Sequence, residues 1–471
     1  MFLGNFNYFL IQCKSMRPQA CNLFGEKMKE RVLLFLIILG LGCCLYVFQN
    51  YFDTLLGLVV LLVLMSIYMC YMQLATVHKK RKLRKEPLVI NHDFKPFISI
   101  MIPAHNEASV IKSTVENILQ LDYENYELIV IDDRSTDGTA EVLKRIEEKH
   151  ANVKCLYRQK DAFPGKSAVL NDALQIAKGE AVLVFDADAR VEKDFLSKLV
   201  PHLEEADVGA VQARKVCSNK DYNLLTRCQN NEQTLDAHFQ IGRDAVKGAV
   251  ELRGNGELIK RTALDDIGGW NNYTIVDDLD MSTRLQIKGW DVRYCPDAIV
   301  YEEAIIYFIP LMRQRRRWLE GSIRRYLEYF TDVLFSKDMS LRASLDMTAY
   351  ISEFLMPAWI IMEICFHTFQ AATHKAPING VISSLIVGFA IALGFMLASR
   401  HSLRKLDKLS PWQAIKQAVE TSVFICIVWF PLVIFICLKI LFKKKDMNWG
   451  KTTHGLILEE ENNRKQNLQK V

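Results

Sequence analysis

Apolar positions along the chain fall into two kinds of run. The first kind is long and nearly uncharged. Residues 32–49 and 54–75 form two such runs, each close to the ~20 residues a helix needs to cross hydrocarbon. Residues 347–370 and 379–399 form two more, and residues 415–442 a fifth. The second kind is of strand length. Phe97-Ile98-Ser99-Ile100-Met101-Ile102-Pro103, Glu127-Leu128-Ile129-Val130-Ile131-Asp132-Asp133 and Ala181-Val182-Leu183-Val184-Phe185-Asp186 are short apolar runs that end in Pro or in acids. Stretches of helical period, such as 108–121 and 137–149, alternate with them. Buried strands alternating with helices predict an α/β domain, a mostly parallel sheet with helices on both faces. Ligands of such sheets bind beyond the carboxyl ends of the strands. The acids at 132–133 and 186–188 fall at those ends.

This pattern divides the chain into five parts: an N-terminal segment with two membrane helices (1–76), a catalytic domain (77–300), interfacial amphipathic helices (301–346), C-terminal membrane segments (347–442) and a tail (443–471). Basic residues give the orientation. The short turn Asn50–Asp53 has no Lys or Arg, whereas His78-Lys79-Lys80-Arg81-Lys82-Leu83-Arg84-Lys85 follows the second run directly. The positive-inside bias therefore predicts a multi-pass protein with its catalytic domain in the cytoplasm. Lys27, Lys29 and Arg31 flank the first run, but no small-residue cleavage site precedes the second, which argues against a signal peptide. Met28 would be a natural initiator. The fifth run stays open between two readings. If it crosses, Lys443-Lys444-Lys445 lands outside; Glu420 and a break at Trp429-Phe430-Pro431 fit a re-entrant or interfacial segment.

Composition adds exclusions. Half of the 471 residues are hydrophobic and 24% are charged, as expected for apolar blocks beside a soluble one rather than for a transporter. The net charge of +5 clusters beside the apolar runs, which points to the membrane surface and not to nucleic acid. The twelve cysteines show neither C-x-x-C nor zinc spacing, so reduced thiols are expected.

Several acid and base clusters carry candidate chemistry. Asp132-Asp133 at a strand tip serves either a turn or a base and ribose edge. In Asp186-Ala187-Asp188, two carboxylates at i and i+2 can reach one hard divalent cation, or one cation and a ribose, and oxygen ligands suit Mg²⁺ or Mn²⁺. Gly165-Lys166-Ser167 is not an ATPase phosphate loop, because Lys160 stands where that loop needs Gly. Lys166 at a helix start can still approach a diphosphate. Asp277-Asp278-Leu279-Asp280 holds more acids than a helix cap needs, and one of them suits a general base. Gln314-Arg315-Arg316-Arg317-Trp318 follows the apolar stretch Ile305–Met312 and reads as an amphipathic, snorkelling helix, which leaves room for a role at a diphosphate.

Taken in order, Pro103-Ala104-His105-Asn106-Glu107, Asp132-Asp133, Gly165-Lys166-Ser167, Asp186-Ala187-Asp188, Asp277-Asp278-Leu279-Asp280 and Gln314-x-x-Arg317-Trp318 resemble family 2 of the GT-A glycosyltransferases, in its membrane-integrated Q-x-x-R-W form. A narrower resemblance, to the beta-monoglucosyldiacylglycerol synthases of cyanobacterial type, runs from about Phe97 to Phe330. It rests on Gln212-Ala213-Arg214-Lys215, Glu251-Leu252-Arg253-Gly254-Asn255-Gly256, Gly268-Gly269-Trp270-Asn271, Trp318-Leu319-Glu320-Gly321 and Arg325-Tyr326-Leu327. Two positions depart from the pattern: Arg134 stands where Asn is usual, and Met281 where Leu is frequent.

The resemblance implies a GT-A, Rossmann-like fold and inverting transfer of a hexose, glucose, from a UDP-sugar to a lipid, 1,2-diacylglycerol, on a bilayer. It implies Asp278 as base, Glu107 and Asp133 at uridine, and Lys166, Asp186, Gln314, Arg317 and Trp318 around the ribose and diphosphate. Asp188 would ligate Mg²⁺ or Mn²⁺, and Gly254, Asn255, Gly256 and Asp277 would lie on the acceptor side. Two alternatives accompany it: a processive β-polysaccharide synthase, and a catalytically silent UDP-sugar-binding regulator.

Overall fold

The computed structural model of the chain describes residues 29–44, 47, 54–85, 91, 93–350, 352–373 and 379–443. The expected turn at Asn50–Asp53, the initiator at Met28 and the tail beyond Lys443 lie outside the described residues. Eight strands form one sheet: β1 (Ile98–Ala104), β2 (Tyr126–Asp132), β3 (Val153–Tyr157), β4 (Ala181–Val184), β5 (Arg190–Val191), β6 (Val208–Cys217), β7 (Glu257–Lys260) and β8 (Asp291–Glu302). Their spatial order is β3-β2-β1-β4-β7-β6-β8-β5. The half from β3 to β4 is parallel throughout, as the alternation of strands and helices requires. The other half is mixed: β7 runs antiparallel to both β4 and β6, while β6 and β8 are parallel.

Side-chain alternation divides the sheet between two cores. Ile98, Ile100 and Ile102 of β1, with Leu128 and Val130 of β2 and Leu183 of β4, face one core. Met101, Ile129, Ile131, Val182 and Val184 face the other. Period-2 runs that are apolar on both phases can be covered only on both faces. Helices α3 (Ile111–Ile118) and α4 (Thr139–Glu147) close the first face, and α5 (Lys166–Leu174), α8 (Arg261–Ile267) and α9 (Asp277–Ile287) close the second.

A helical layer lies beside this domain. Residues 29–44 form helix α1 and Thr54–Lys85 form α2, which continues through the basic run without interruption. Helix α7 (Leu224–Val246) packs between the sheet and the Thr54–Lys85 helix, α13 (Asn379–Leu406) and α14 (Pro411–Phe442), while α10 (Phe308–Phe335) packs on α9 and α14, and α11 (Leu341–Tyr350) and α12 (Ser352–Ala372) complete the layer. Leu319, Ile323 and Leu327 recur at helical spacing on α10 and meet Val428, Leu432, Ile436 and Ile440 of α14.

Among the described residues α14 is the one helix long and apolar enough to cross a membrane by length and composition. It runs unbroken through Pro431, so Trp429-Phe430-Pro431 forms no break. Proline removes one backbone hydrogen bond, and here the packing of Val428, Leu432 and Val433 on both sides of it holds the helix together.

Candidate active site

The polar site forms where the strands end, around the loop after β4 and the start of α9. One cavity of about 210 Å³ there is lined by Glu107, Lys166, Asp186, Asp188, Gly254, Asp277, Asp278, Gln314, Arg317 and Trp318, residues from widely separated parts of the chain. Ten of the residues expected to act together are thus in one place. Asp133, Asn255 and Gly256 do not line it. Asp133 is buried, with Arg134 Nε and Arg158 Nη1 donating to its Oδ1 at 2.8 and 2.6 Å. Arg134 adopts φ +60°, the left-handed region that Asn enters readily and Arg does not, and its guanidinium grips the preceding carboxylate. Asn255 Oδ1 accepts from the Asp186 amide at 3.2 Å, so it fixes the loop rather than facing the cavity. Gly256 allows close packing: a Cβ there would lie 2.9 Å from Val300 Cγ1.

Lys166 starts α5 and donates to Asp186 Oδ1 and to the Gly254 carbonyl, both at 2.7 Å. Burial disfavours its charge, but Asp186 and Asp277 outweigh that and hold the ammonium protonated. Asp188 Oδ2 accepts from the Glu303 amide at 2.8 Å. Asp277 and Asp278 occupy the first turn of α9, where the helix dipole favours anions, and Asp278 Oδ1 accepts from the Leu279 amide at 2.8 Å. Burial and the adjacent Asp277 nonetheless push the Asp278 pKa from 3.8 up to about 6. Gly254, at φ +76°, faces it: a Cβ there would sit 3.2 Å from Asp278 Oδ2. Asp280, the third acid of the cluster, is buried against Arg284 at 2.7 Å and accepts from Tyr329 at 2.8 Å, a structural assignment.

Four groups to which the sequence reading gave no role complete the site. Lys215 pairs with Glu302 at 2.9 Å. Arg253 pairs with Asp236 at 2.5 Å and with Glu251 at 3.0 Å. Burial would raise the Glu251 pKa, but Arg325, Arg253 and Arg243 hold it at about 2. Glu257, on the central strand β7, has no exposed surface, and neither of its oxygens has a hydrogen-bond partner. Burial, opposed by Lys166 and reinforced by Asp277, Asp278 and Asp186, pushes its pKa up to about 8. A lone acid in a strand between two buried strands was the one available signal.

Beyond Asp278 a second cavity of about 350 Å³ opens among α7, α10, α12, α13 and α14. Its far walls are apolar, including Ile360, Ile391, Phe395, Ile425 and Val433. Lys215, Arg253, Val276, Asp278 and Trp318 line both cavities. Gly321 of α10 makes this junction possible, since a Cβ there would lie 2.6 Å from Val276 Cγ1.

A mixed sheet with acids at its strand ends, a half-buried carboxylate pair and a neighbouring ammonium define a sugar-transferring enzyme of the GT-A type. Residues 96–321 match the model of "Glycosyltransferase like family 2". The chain is 35% identical over 365 residues to the Beta-monoglucosyldiacylglycerol synthase of Nostoc sp. strain PCC 7120, covering 76% of each. It is 34% identical over 371 residues to the synthase of that name from Synechocystis sp. strain PCC 6803, covering 78% of this chain and 76% of the relative. The solved structure of a mannosyltransferase from Pyrobaculum calidifontis, in complex with GDP-Man and Mn²⁺, superimposes with a TM-score of 0.58 at 21% identity, covering 82% of this chain and 99% of that one. The chain belongs to glycosyltransferase family 2.

Proposed function

We propose that this protein is a multi-pass membrane enzyme that transfers glucose from UDP-glucose to the hydroxyl of 1,2-diacylglycerol, with inversion, to give a β-glycolipid. One observation carries the lipid acceptor: the polar cavity and the apolar cavity share the wall formed by Asp278 and Trp318. A water-soluble donor and a lipid can meet only at such a junction. The two cyanobacterial relatives, named for the same product class, support the choice of sugar and lipid.

In this reading Glu107 and Asp133 hold the uridine end, Asp133 from beneath through its arginine partners. Asp186, Lys166, Arg317 and Gln314 surround the ribose and diphosphate, and Trp318 closes the cavity toward the acceptor. Asp278 takes the proton of the lipid hydroxyl as its oxygen attacks the anomeric carbon from the face opposite UDP. Lys166 and Arg317 offset the charge that grows on the departing diphosphate in a site that excludes water. Gly254 and Asp277 stand on the acceptor side, with Asn255 and Gly256 shaping the loop.

Asp188 and Asp186 suit a hard divalent cation, Mg²⁺ or Mn²⁺. Both are carboxylates on one cavity wall, and the Glu303 amide fixes Asp188. Among the described residues no cluster of three or more metal-ligating side chains occurs, so diphosphate oxygens would complete the shell. The cation would lend charge stabilisation to the leaving group. The basic run Lys79–Lys85 at the end of the second helix supports a cytoplasmic catalytic domain.

The test supplies membranes containing the full chain with radiolabelled UDP-glucose and diacylglycerol and resolves the products. A chloroform-soluble, β-linked glycolipid is expected. An ethanol-insoluble polymer, or no transfer to lipid, overturns the proposal.

A further inference from the structure

A group of exposed cations at one end of the helical layer serves no step of the reaction above. Lys80, Arg81 and Lys82 lie near the end of α2, Arg404 in the last turn of α13, Lys408 in the turn that follows, and Lys416 in α14, all of them exposed. None of them lines either cavity. Packing gathers them from distant parts of the chain. Helix α2 packs on α13, and both reach the same residue of α7: Gln73 hydrogen-bonds His238, and the His401 ring lies 5.2 Å from the His238 ring. The basic turns that follow Gln73 and His401 therefore come side by side. Burial first, and then the Lys80 ammonium, hold the Lys405 pKa below its ordinary value. Helix α14 folds back on α13, where Leu403 packs with Ala414 and Ala418.

Acids do not balance this surface. Residues 74–82 contain none, and residues 397–419 contain only Asp407, which accepts from Arg214 and Thr234. Lys79 is held by Asp244. Among the described residues Lys80, Arg81, Lys82, Arg404, Lys408 and Lys416 have no acid partner. Like charges gathered in this way repel one another, and a surface that serves only solubility intersperses the two signs. An anion bound from outside would relieve the repulsion.

The surroundings decide which anion. On α2, exposed Ile67, Tyr71, Leu74 and Val77 lead at helical spacing to Arg81. On α13, exposed Phe389, Leu393 and Leu397 lead in the same way to Arg404. Each stripe changes from apolar to basic within about two turns of helix. Trp412, 81% exposed, stands one turn from Lys416 on α14, and Trp favours the head-group layer of a bilayer. A soluble phosphate or a nucleic acid offers nothing to the apolar stripes. A leaflet with anionic head groups offers acyl chains to the stripes and phosphates to the bases. The acceptor and product proposed above are neutral, so neither uses this surface.

We propose that the basic ends of α2 and α13, with Lys416 of α14, form a binding surface for anionic phospholipids, which the reaction neither consumes nor forms. The inference rests on the membrane reading above and adds a second class of lipid to it.

The experiment purifies the full chain in neutral-detergent micelles and counts the phospholipids retained on it by native mass spectrometry. Phosphatidylglycerol and phosphatidylcholine of matched chains are titrated in separate arms, without UDP-glucose. Each base beside an anionic head group contributes about fivefold, so the wild type should fill with phosphatidylglycerol at a concentration at least about tenfold lower than with phosphatidylcholine. The combined variant Lys80→Gln, Arg81→Gln, Arg404→Gln and Lys408→Gln should bring the two lipids within about twofold of each other. Should that variant fail to fold, Arg81→Gln and Arg404→Gln singly should each reduce the preference by about fivefold. Glycerol phosphate in excess should displace no phosphatidylglycerol. Equal retention of the two lipids by the wild type overturns the inference. A preference that survives in the folded variants overturns its assignment to these residues, and displacement by glycerol phosphate replaces the lipid surface with a soluble-phosphate site. Binding is read without donor, so failure of this inference leaves the proposed function standing, and absence of glycolipid synthesis leaves this inference standing.

Discussion

The base assignment can be tested through its titration. Asp278 is half-buried beside Asp277, and together its desolvation and that neighbour move its pKa from 3.8 to about 6. A general base works only when ionised. Activity must therefore rise with pH through about 6 and level off above it, whereas an ordinary carboxylate would already be ionised at pH 5. At pH 5 about a tenth of a group with that pKa is ionised, so kcat/KM should fall to roughly a tenth of its plateau. The limb belongs in kcat/KM rather than in kcat, because the geometry described is that of the enzyme without donor. Asp278→Asn keeps the shape but cannot take the proton. Turnover should drop by about 10²- to 10⁴-fold, the acid limb should vanish, and UDP affinity measured by calorimetry should hold. Asp277→Asn removes the adjacent charge and should move the limb downward, toward the ordinary carboxylate range. The assay is initial-rate glycolipid formation from about pH 4.5 to 8.5 with each enzyme. An acid limb that persists in Asp278→Asn, or one that moves upward in Asp277→Asn, refutes the assignment.

The remaining predictions address the rest of the site. Asp188→Asn should lose the dependence of UDP-sugar binding on added Mg²⁺ or Mn²⁺, measured by titration with and without chelator; full activity of this variant in excess chelator would exclude a metal role. Glu257→Gln should stabilise the protein near neutral pH. The folded pKa of about 8 lies above the ordinary 4.5, so the wild type loses stability relative to the amide as pH rises from about 4.5 toward 8, by up to about 3 kcal/mol near pH 7. Denaturation curves at both ends of that window check the sign, and equal curves at pH 7 contradict the buried-acid account. A cysteine introduced at exposed Lys149 should resist membrane-impermeant reagents in intact cells and react after lysis; labelling from outside would reverse the orientation.

Most of the parallel half of the sheet could be read in the chain because each of its central strands is apolar on both phases. Ile98 to Pro103 and Leu128 to Ile131 have no other explanation than a strand covered on both faces. The mixed half was not readable by that rule. β6 carries Gln212, Arg214 and Lys215, and β8 carries Arg293, Pro296 and Asp297; their polar groups find partners only in the folded chain, Arg214 in Asp407 and Lys215 in Glu302. The same limit governs the site. Asp186, Asp188 and the acids of α9 stand out because they follow buried strands or exceed what a cap requires. Lys215, Arg253 and Glu251 act through pairings across as many as 87 positions of chain, such as Lys215 with Glu302, and no local pattern announces those partners. Asp133 illustrates the converse. Its place at a strand tip was legible, but its burial under Arg134 and Arg158 depended on the left-handed residue that follows it.

The charges around the polar cavity bear on how a donor enters it. Seven carboxylates line it, from Glu107, Asp186, Asp188, Asp277, Asp278, Glu302 and Glu303, against four cations, from Lys166, Lys215, Arg253 and Arg317. Three of those cations are already committed to acids, Lys166 to Asp186, Lys215 to Glu302 and Arg253 to Asp236 and Glu251. A diphosphate approaching such a site meets a negative surface in a partly dry setting, where like charges repel more strongly than in water. Two features lessen that repulsion. Burial pushes the Glu257 pKa up to about 8, which favours the neutral acid and lessens the negative charge beneath Lys166. A divalent cation arriving with the diphosphate would neutralise the pair before it reaches Asp186 and Asp188. Desolvation and the adjacent Asp277 also serve the proposed later step, because they make Asp278 a stronger base than an isolated carboxylate. A site balanced for donor binding alone would have a weaker base, and one built for the base alone would reject the donor. Neutralising the donor with a cation that it brings in lets the protein keep its acids for the acceptor proton.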